Sequence, residues 1–330
     1  MKTLNFSRRW IIATFVGLAL ACLFSAYALL THDKPISIAA HVWLGYEPMF
    51  MARNEGWLDK EQVHLIETTS ATSSLKALAE GRVDGAALTL DEMLQARASG
   101  LPLTAVLIFN VSAGADILVA RASIKSLSGL KGKRIAVEKS SVGEIMLAEI
   151  LRIAQLTKQD VVPVWLSVDQ HLDAWNHHQV DAAITYEPVA SLLIAQDAVR
   201  IFDSRSMPNR IIDVLAIRTD KLDHSHASAV RHLIVAHFKA LHHVTHNPQD
   251  ASYRMATHLG LPANGVLNAY KGLLLPDIDN NYRLLAGKHS ELGNTAQKLS
   301  QIMVNAGMLK QNDTFKSLVD VDFLPTESLR

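Results

Sequence analysis

Four carboxylates and three large aromatic side chains stand beside the ends of short apolar runs: Glu47, Asp116, Glu187 and Asp213, with Trp43, Tyr46 and Tyr186. A carboxylate-lined site favours an ammonium, a guanidinium or an amino-heterocycle, and aromatic walls add cation–π attraction. Hydroxyl and amide groups fall in the same loops: Ser70, Ser73, Thr89, Asn110, Ser112, Ser140 and Ser141. Ser70 and Ser73, within a hydroxyl-rich run that includes Thr72 and Ser74, precede a helix and also suit N-capping. Ser140 and Ser141 open another helix, and helix N-termini attract anions. Asp91 suits the cap of the helix 92–98. A nitrate or sulfonate site wants helix N-termini plus a cation, yet Lys139 is the one cation beside these loops. The carboxylates have a second role open to them, bonding to backbone amides in turns, and Asp213 suits bracing a hinge. Glu187 is aimed at a cleft by its place at a strand end and by Pro188, which opens the next helix.

The elements that position these residues are announced by a phrase that occurs twice. Residues 78–89 read LAEGRVDGAALT and residues 175–186 read WNHHQVDAAITY. Each is a polar break, then Val-Asp, then a small-residue apolar strand ending in a hydroxyl, Thr89 or Tyr186. In open α/β sheets ligands bind outside the carboxyl ends of strands. Two such sheets predict two lobes with a cleft between them.

Strands are predicted at 36–42, 63–67, 85–88 and 103–109, with helices at 48–55, 75–79 and 90–98 between them. That alternation predicts a parallel, doubly wound sheet. The strand 117–120 reads as a crossover. A second α/β unit follows, with strands 134–137, 161–166, 182–185 and 199–202 and helices 144–154, 170–177 and 188–194. The strand 211–217 returns to the first unit, and from Asp220 onward the pattern is helical. The expected division is a targeting segment over 1–34, a first lobe over 35–119 plus 214–330, and a second lobe over 120–213.

Lys+Arg and Asp+Glu both number 32, so no net charge recruits nucleic acid. The single cysteine, Cys22, excludes intramolecular disulfides and Cys-based metal sites. Lys2, Arg8 and Arg9 precede an uncharged run from Trp10 to Leu30, long enough to span roughly 31 Å as a helix. Three fates compete: an uncleaved anchor, lipidation at Cys22, and cleavage after Ala26-Tyr27-Ala28. Attachment to the cytoplasmic membrane from the periplasmic side is the expected outcome, with the positive flank inside. His224, His226, His232, His237, His242, His243 and His246 crowd one region. His242 and His246 are one helical turn apart and could chelate a metal, but no carboxylate or Cys completes the set nearby. The region reads as a solvated helix face, and no metal or cofactor is expected.

The order Trp43-Leu44-Gly45-Tyr46-Glu47-Pro48, Gly81-Arg82-Val83-Asp84, Asp116 before a strand, Leu130-Lys131-Gly132-Lys133-Arg134-Ile135-Ala136-Val137, Val180-Asp181-Ala182-Ala183 and Tyr186-Glu187-Pro188 resembles the nitrate/sulfonate/taurine-type, thiamine-pyrimidine-precursor-like, substrate-binding proteins of ABC importers. The stretch Phe202-Asp203-Ser204 through Ile211-Ile212-Asp213-Val214 is similar to a subgroup of binding lipoproteins. The resemblance covers about residues 36–310. It implies a type II periplasmic binding fold, two doubly wound lobes joined by two crossovers, with a small ligand in the cleft and an ABC permease as partner. Fold alone does not fix the ligand. Another reading is a membrane-attached sensor subunit that uses the same clamshell to signal to a membrane partner. An enzyme on this fold, similar to the thiamine-pyrimidine synthases or chorismate-type dehydratases, is disfavoured. One of those types carries a cysteine-rich motif that is missing here, and no Ser-His-Asp or Cys-His set emerges.

Overall fold

The computed structural model describes residues 33–139 and 141–326. The expected signal or anchor and Ser140 lie outside the described residues. Two sheets organise the chain. The first holds β1 (Ile36–His41), β2 (Val63–Thr68), β3 (Gly85–Thr89), β4 (Leu103–Ser112), β10 (Ile212–Arg218) and β11 (Leu273–Leu274), in the order β11-β4-β10-β3-β1-β2. The second holds β5 (Asp116–Ala120), β6 (Arg134–Val137), β7 (Val162–Trp165), β8 (Ala182–Tyr186) and β9 (Val199–Asp203), in the order β7-β6-β8-β5-β9.

The twice-said phrase forms β3 and β8, each beside the first parallel strand of its own sheet. Its aspartate explains the repetition. Asp84 accepts the backbone N–H of Ser37 at 3.0 Å while its own N–H donates to the Ser37 carbonyl at 2.8 Å. Asp181 accepts the N–H of Arg134 at 2.9 Å and donates to the Arg134 carbonyl at 2.8 Å. In both sheets the Val-Asp pair therefore sets the register of a parallel neighbour at its amino end, where the ladder alone leaves donors unpaired.

Each sheet is mixed, where the alternation predicts parallel strands alone. The strand that enters from the other lobe runs antiparallel: β5 lies between β8 and β9, and β10 lies between β3 and β4. The chain passes to the second sheet between Ser112 and Asp116 and returns between Asp203 and Ile212, a few residues before the expected lobe boundaries at 119 and 213. An antiparallel strand begins where its parallel neighbours end, so Asp116 pairs with Tyr186 and Asp213 pairs with Thr89. Topology thus sets one aspartate at the carboxyl end of each sheet.

Helices cover the sheets. α1 (Glu47–Asn54) carries Pro48 in its first turn, α2 spans Ala71–Ala79, α3 Leu90–Ala98 and α4 Ser141–Ala154. α5 (His171–Asn176) and α6 (Val189–Ile194) complete the second lobe, and α7 (Ala227–His246), α8 (Pro248–Leu259), α9 (Ala263–Tyr270), α10 (Ile278–Leu285) and α11 (Glu291–Asn305) return to the first. α2 starts at 71 rather than at the predicted 75. Ser70 caps it by accepting the Ser73 N–H at 3.2 Å, so hydroxyls that read as loop form its first turn. α4 likewise starts at 141 rather than 144. None of the helices among the described residues is long and apolar enough to cross a membrane.

Candidate functional site

The carboxyl ends of the two sheets meet face to face. Tyr186 of the second lobe packs edge-on against Trp43 of the first, with ring centroids 5.4 Å apart, and lies 5.6 Å from His41. The lobes enclose a cavity of about 20 Å³, lined by His41, Trp43, Ala71, Thr89, Glu92, Asp116, Val142, Tyr186 and Asp213. A void of about 10 Å³ adjoins at Tyr186 and Asp116 and reaches Glu138 and Thr185. The space holds about one water, so a larger ligand enters only when the lobes separate.

A buried chain of hydrogen bonds forms the floor. Trp43 Nε1 donates to Asn110 Oδ1 at 3.0 Å, and Asn110 Nδ2 donates to Asp213 Oδ2 at 2.7 Å. Tyr46 donates its hydroxyl to Asp213 Oδ1 at 2.5 Å. Gly45 makes this possible: a Cβ there would fall on the Asn110 amide and 2.7 Å from Trp43 Nε1. Gly143 has a similar role in the other lobe, since a Cβ would sit 2.5 Å from the Glu138 carbonyl oxygen and push α4 off the end of β6.

The electrostatics are one-signed. Glu92, Asp116, Glu138 and Asp213 are all buried, and no Lys or Arg lines either part of the cavity among the described residues. Burial pushes Asp213 up to about 8 and Asp116 up to about 6, and it raises Glu138 and Glu92 above the usual carboxylate range. Asp91, buried beside Glu92, is pushed up to about 7 for the same reason. Burial also lowers His41 to about 3, so its ring stays neutral. Asp116 Oδ2, Glu92 Oε1, Glu138 Oε2 and His41 Nδ1 are buried without a hydrogen-bond partner. Unpaired buried polar atoms are costly, and here they belong to residues that converge on one void.

Of the residues singled out in the sequence, Trp43, Tyr46, Thr89, Asn110, Asp116, Tyr186 and Asp213 come together at this cavity or its floor. Others do not. The Glu187 carboxylate folds back onto α6 and accepts the Ser191 N–H at 3.0 Å, because a strand-end acid next to an exposed helix start finds that N–H first. Glu47 faces away from the cavity and pairs with His258 Nδ1 of α8 at 2.7 Å. Ser112 bridges the crossovers, 2.8 Å from the Ser204 hydroxyl. Ser70 and Ser73 bond to one another as a helix cap. The side chain of Ser141, like Ser140, is outside the described residues.

Sequence reasoning misses His41, Glu92 and Glu138. His41 ends β1 and Glu138 follows β6, so the strand-end rule that selects Asp116 applies equally to them. Glu92 is hidden inside a helix; its Oε2 accepts the Thr89 N–H at 3.0 Å. The histidine-rich helix is also not uniformly solvated. His237 is buried against Phe109 at 5.1 Å and lowered to about 3, while His242 and His246 stack at 3.9 Å. No group of three or more metal-ligating side chains occurs among the described residues.

The NMT1/THI5-like family matches residues 44–251. The chain belongs to that family. It is 28% identical over 194 residues to a putative aliphatic sulfonates-binding protein of Escherichia coli, covering 56% of this chain and 61% of that one. A Bacillus subtilis protein of the same description is 24% identical, covering 52% and 54%. The chain thus spans little more than half the length of these curated relatives. The alkanesulfonate-binding protein of Xanthomonas axonopodis pv. citri bound to MOPS superposes with a TM-score of 0.73 at 16% identity, covering 88% of this chain and 99% of that one. That likeness establishes the periplasmic binding protein fold.

Proposed function

We propose that this chain is an extracytoplasmic solute-binding protein that captures a small, amine-bearing ligand between its lobes and presents it to an ABC importer. The observation that supports the amine is the lining of the cavity: four buried carboxylates and the rings of His41, Trp43 and Tyr186, with no Lys or Arg among the described residues. An ammonium replaces the protons on Asp213 and Asp116 and lies against those rings. A sulfonate, the ligand named for the relatives, has no Lys or Arg there to meet it.

The mechanism follows from the hinge. Two crossovers, stitched by Ser112 and Ser204, join otherwise separate sheets. Parting the lobes breaks the Trp43–Tyr186 contact and exposes Asp116 and Asp213. Closure buries the ligand's charge where attraction is strongest.

A thermal-shift series with alkylammonium compounds and alkanesulfonates tests the reading. A ligand at a hundredfold excess over its Kd raises stability by about 2.7 kcal/mol. Amines should shift the melt and sulfonates should not; the opposite pattern refutes the charge argument.

A further inference from the structure

One contact bridges the lobes through a charge. Glu138, at the end of β6, reaches across the cleft to the first turn of α2, where its Oε1 accepts the Thr72 N–H at 3.1 Å and the Thr72 hydroxyl at 2.7 Å. The neighbouring amides are already used: Ser73 N–H goes to Ser70 Oγ and Ser74 N–H to the Ser70 carbonyl. Glu138 is 2% exposed, and its second oxygen is buried without a partner on the cavity side.

An N–H and a hydroxyl at a helix start form a donor pair suited to an oxyanion. Here that pair is filled from within. We propose that Glu138 is a specificity-determining residue: its carboxylate occupies the donors an anionic ligand would need, and so restricts the cleft to cations. This rests on the functional reading above. An incoming sulfonate would have to displace a buried carboxylate and then lie beside it. An ammonium meets no such obstacle, and the free Glu138 Oε2 is one more acceptor for it.

The test is calorimetric titration of the wild type, Glu138→Ala and Glu138→Gln at pH 5.5, where burial keeps Asp213 and Asp91 protonated. The probes are methanesulfonate at that pH and, separately, choline and ethanolamine at pH 8, where a bound ammonium has fewer protons to displace from Asp213 and Asp116. Glu138→Ala should bind methanesulfonate at least tenfold more tightly than the wild type. Glu138→Gln, which keeps an oxygen on Thr72 without the charge and preserves the contact between the lobes, should show a smaller gain. Thr72→Val in the Glu138→Ala background should reverse part of that gain. A methanesulfonate affinity equal in the wild type and both variants overturns the proposal. The amine titrations of the wild type report on the functional reading by themselves. Failure of the amines with a gain of methanesulfonate in Glu138→Ala would sink that reading and leave the role of Glu138 standing.

Discussion

Replacing Asp213 with Asn removes a titratable carboxyl from the floor of the cleft without changing its shape. Asp213 accepts hydrogen bonds from Tyr46 and from Asn110 Nδ2. The amide introduced by Asp213→Asn keeps an acceptor for one of them and turns a donor toward the other. Flipping the Asn110 amide would relieve that clash but strand Trp43 Nε1, so one buried donor loses its partner at a cost of about 1–3 kcal/mol. A second effect depends on pH. The Asp213 carboxyl is held near 8 in the folded chain, against an ordinary value of 3.8. The folded state therefore binds the extra proton, and the stability it brings is lost as pH rises toward 8. The buried histidines titrate alike in wild type and mutant and cancel from the comparison. Between pH 6.5 and 8 the single Asp213 proton accounts for a loss of about 1.5–2 kcal/mol in the ligand-free protein. Urea unfolding of wild type and Asp213→Asn across that window should show the mutant curve flatter by this amount, although lower at pH 6.5. Parallel curves would refute the reasoning, because they would mean that Asp213 is ionised in the folded chain throughout.

Further outcomes can be checked with the same protein. Gly45→Ala should break the Trp43–Asn110 bond and abolish amine binding, with a loss of stability of about 1–3 kcal/mol from the displaced amide, measured by melting and titration together. Glu187→Gln should leave ligand affinity unchanged and cost about 0.5–1.5 kcal/mol, because its carboxylate accepts the Ser191 N–H and does not line the cavity; a tenfold loss of affinity would return it to the site. Arg97→Ala should destabilise by about 3–5 kcal/mol, since Arg97 and Asp313 form a bidentate pair at 2.8 and 2.9 Å that is nearly buried and ties the C-terminal segment to α3. Equilibrium unfolding reads that loss directly.

The repeated Val-Asp phrase is legible because it encodes a register lock that local sequence carries whole: one carboxylate, one neighbouring strand. The acids of the crossovers are legible for the same reason, as each opens a strand. Direction is not legible. Nothing in Ile117–Ala120 or Ile212–Arg218 distinguishes an antiparallel insertion from a parallel strand, since both are buried on two faces. Side-chain aim is the other gap. Glu187 and Asp116 both flank buried strands, and only the positions of the Ser191 N–H and of the opposite lobe decide which faces the cavity. Glu138 sits at a strand end as Asp116 does, but its reach across the cleft is not legible because its partner Thr72 lies 66 residues away, beyond any local pattern.

The central claim, that the cleft trades protons for an organic cation, is tested most directly by counting those protons. Titration of a binding amine at pH 7, in phosphate and in cacodylate buffer, gives the number released from the difference in apparent enthalpy. Protonated Asp213, joined by Asp116 as pH falls, predicts release of about one proton per ligand bound at pH 7, rising as pH falls toward 6. Binding with no buffer dependence, or proton uptake with an alkanesulfonate as the preferred ligand, would contradict the account.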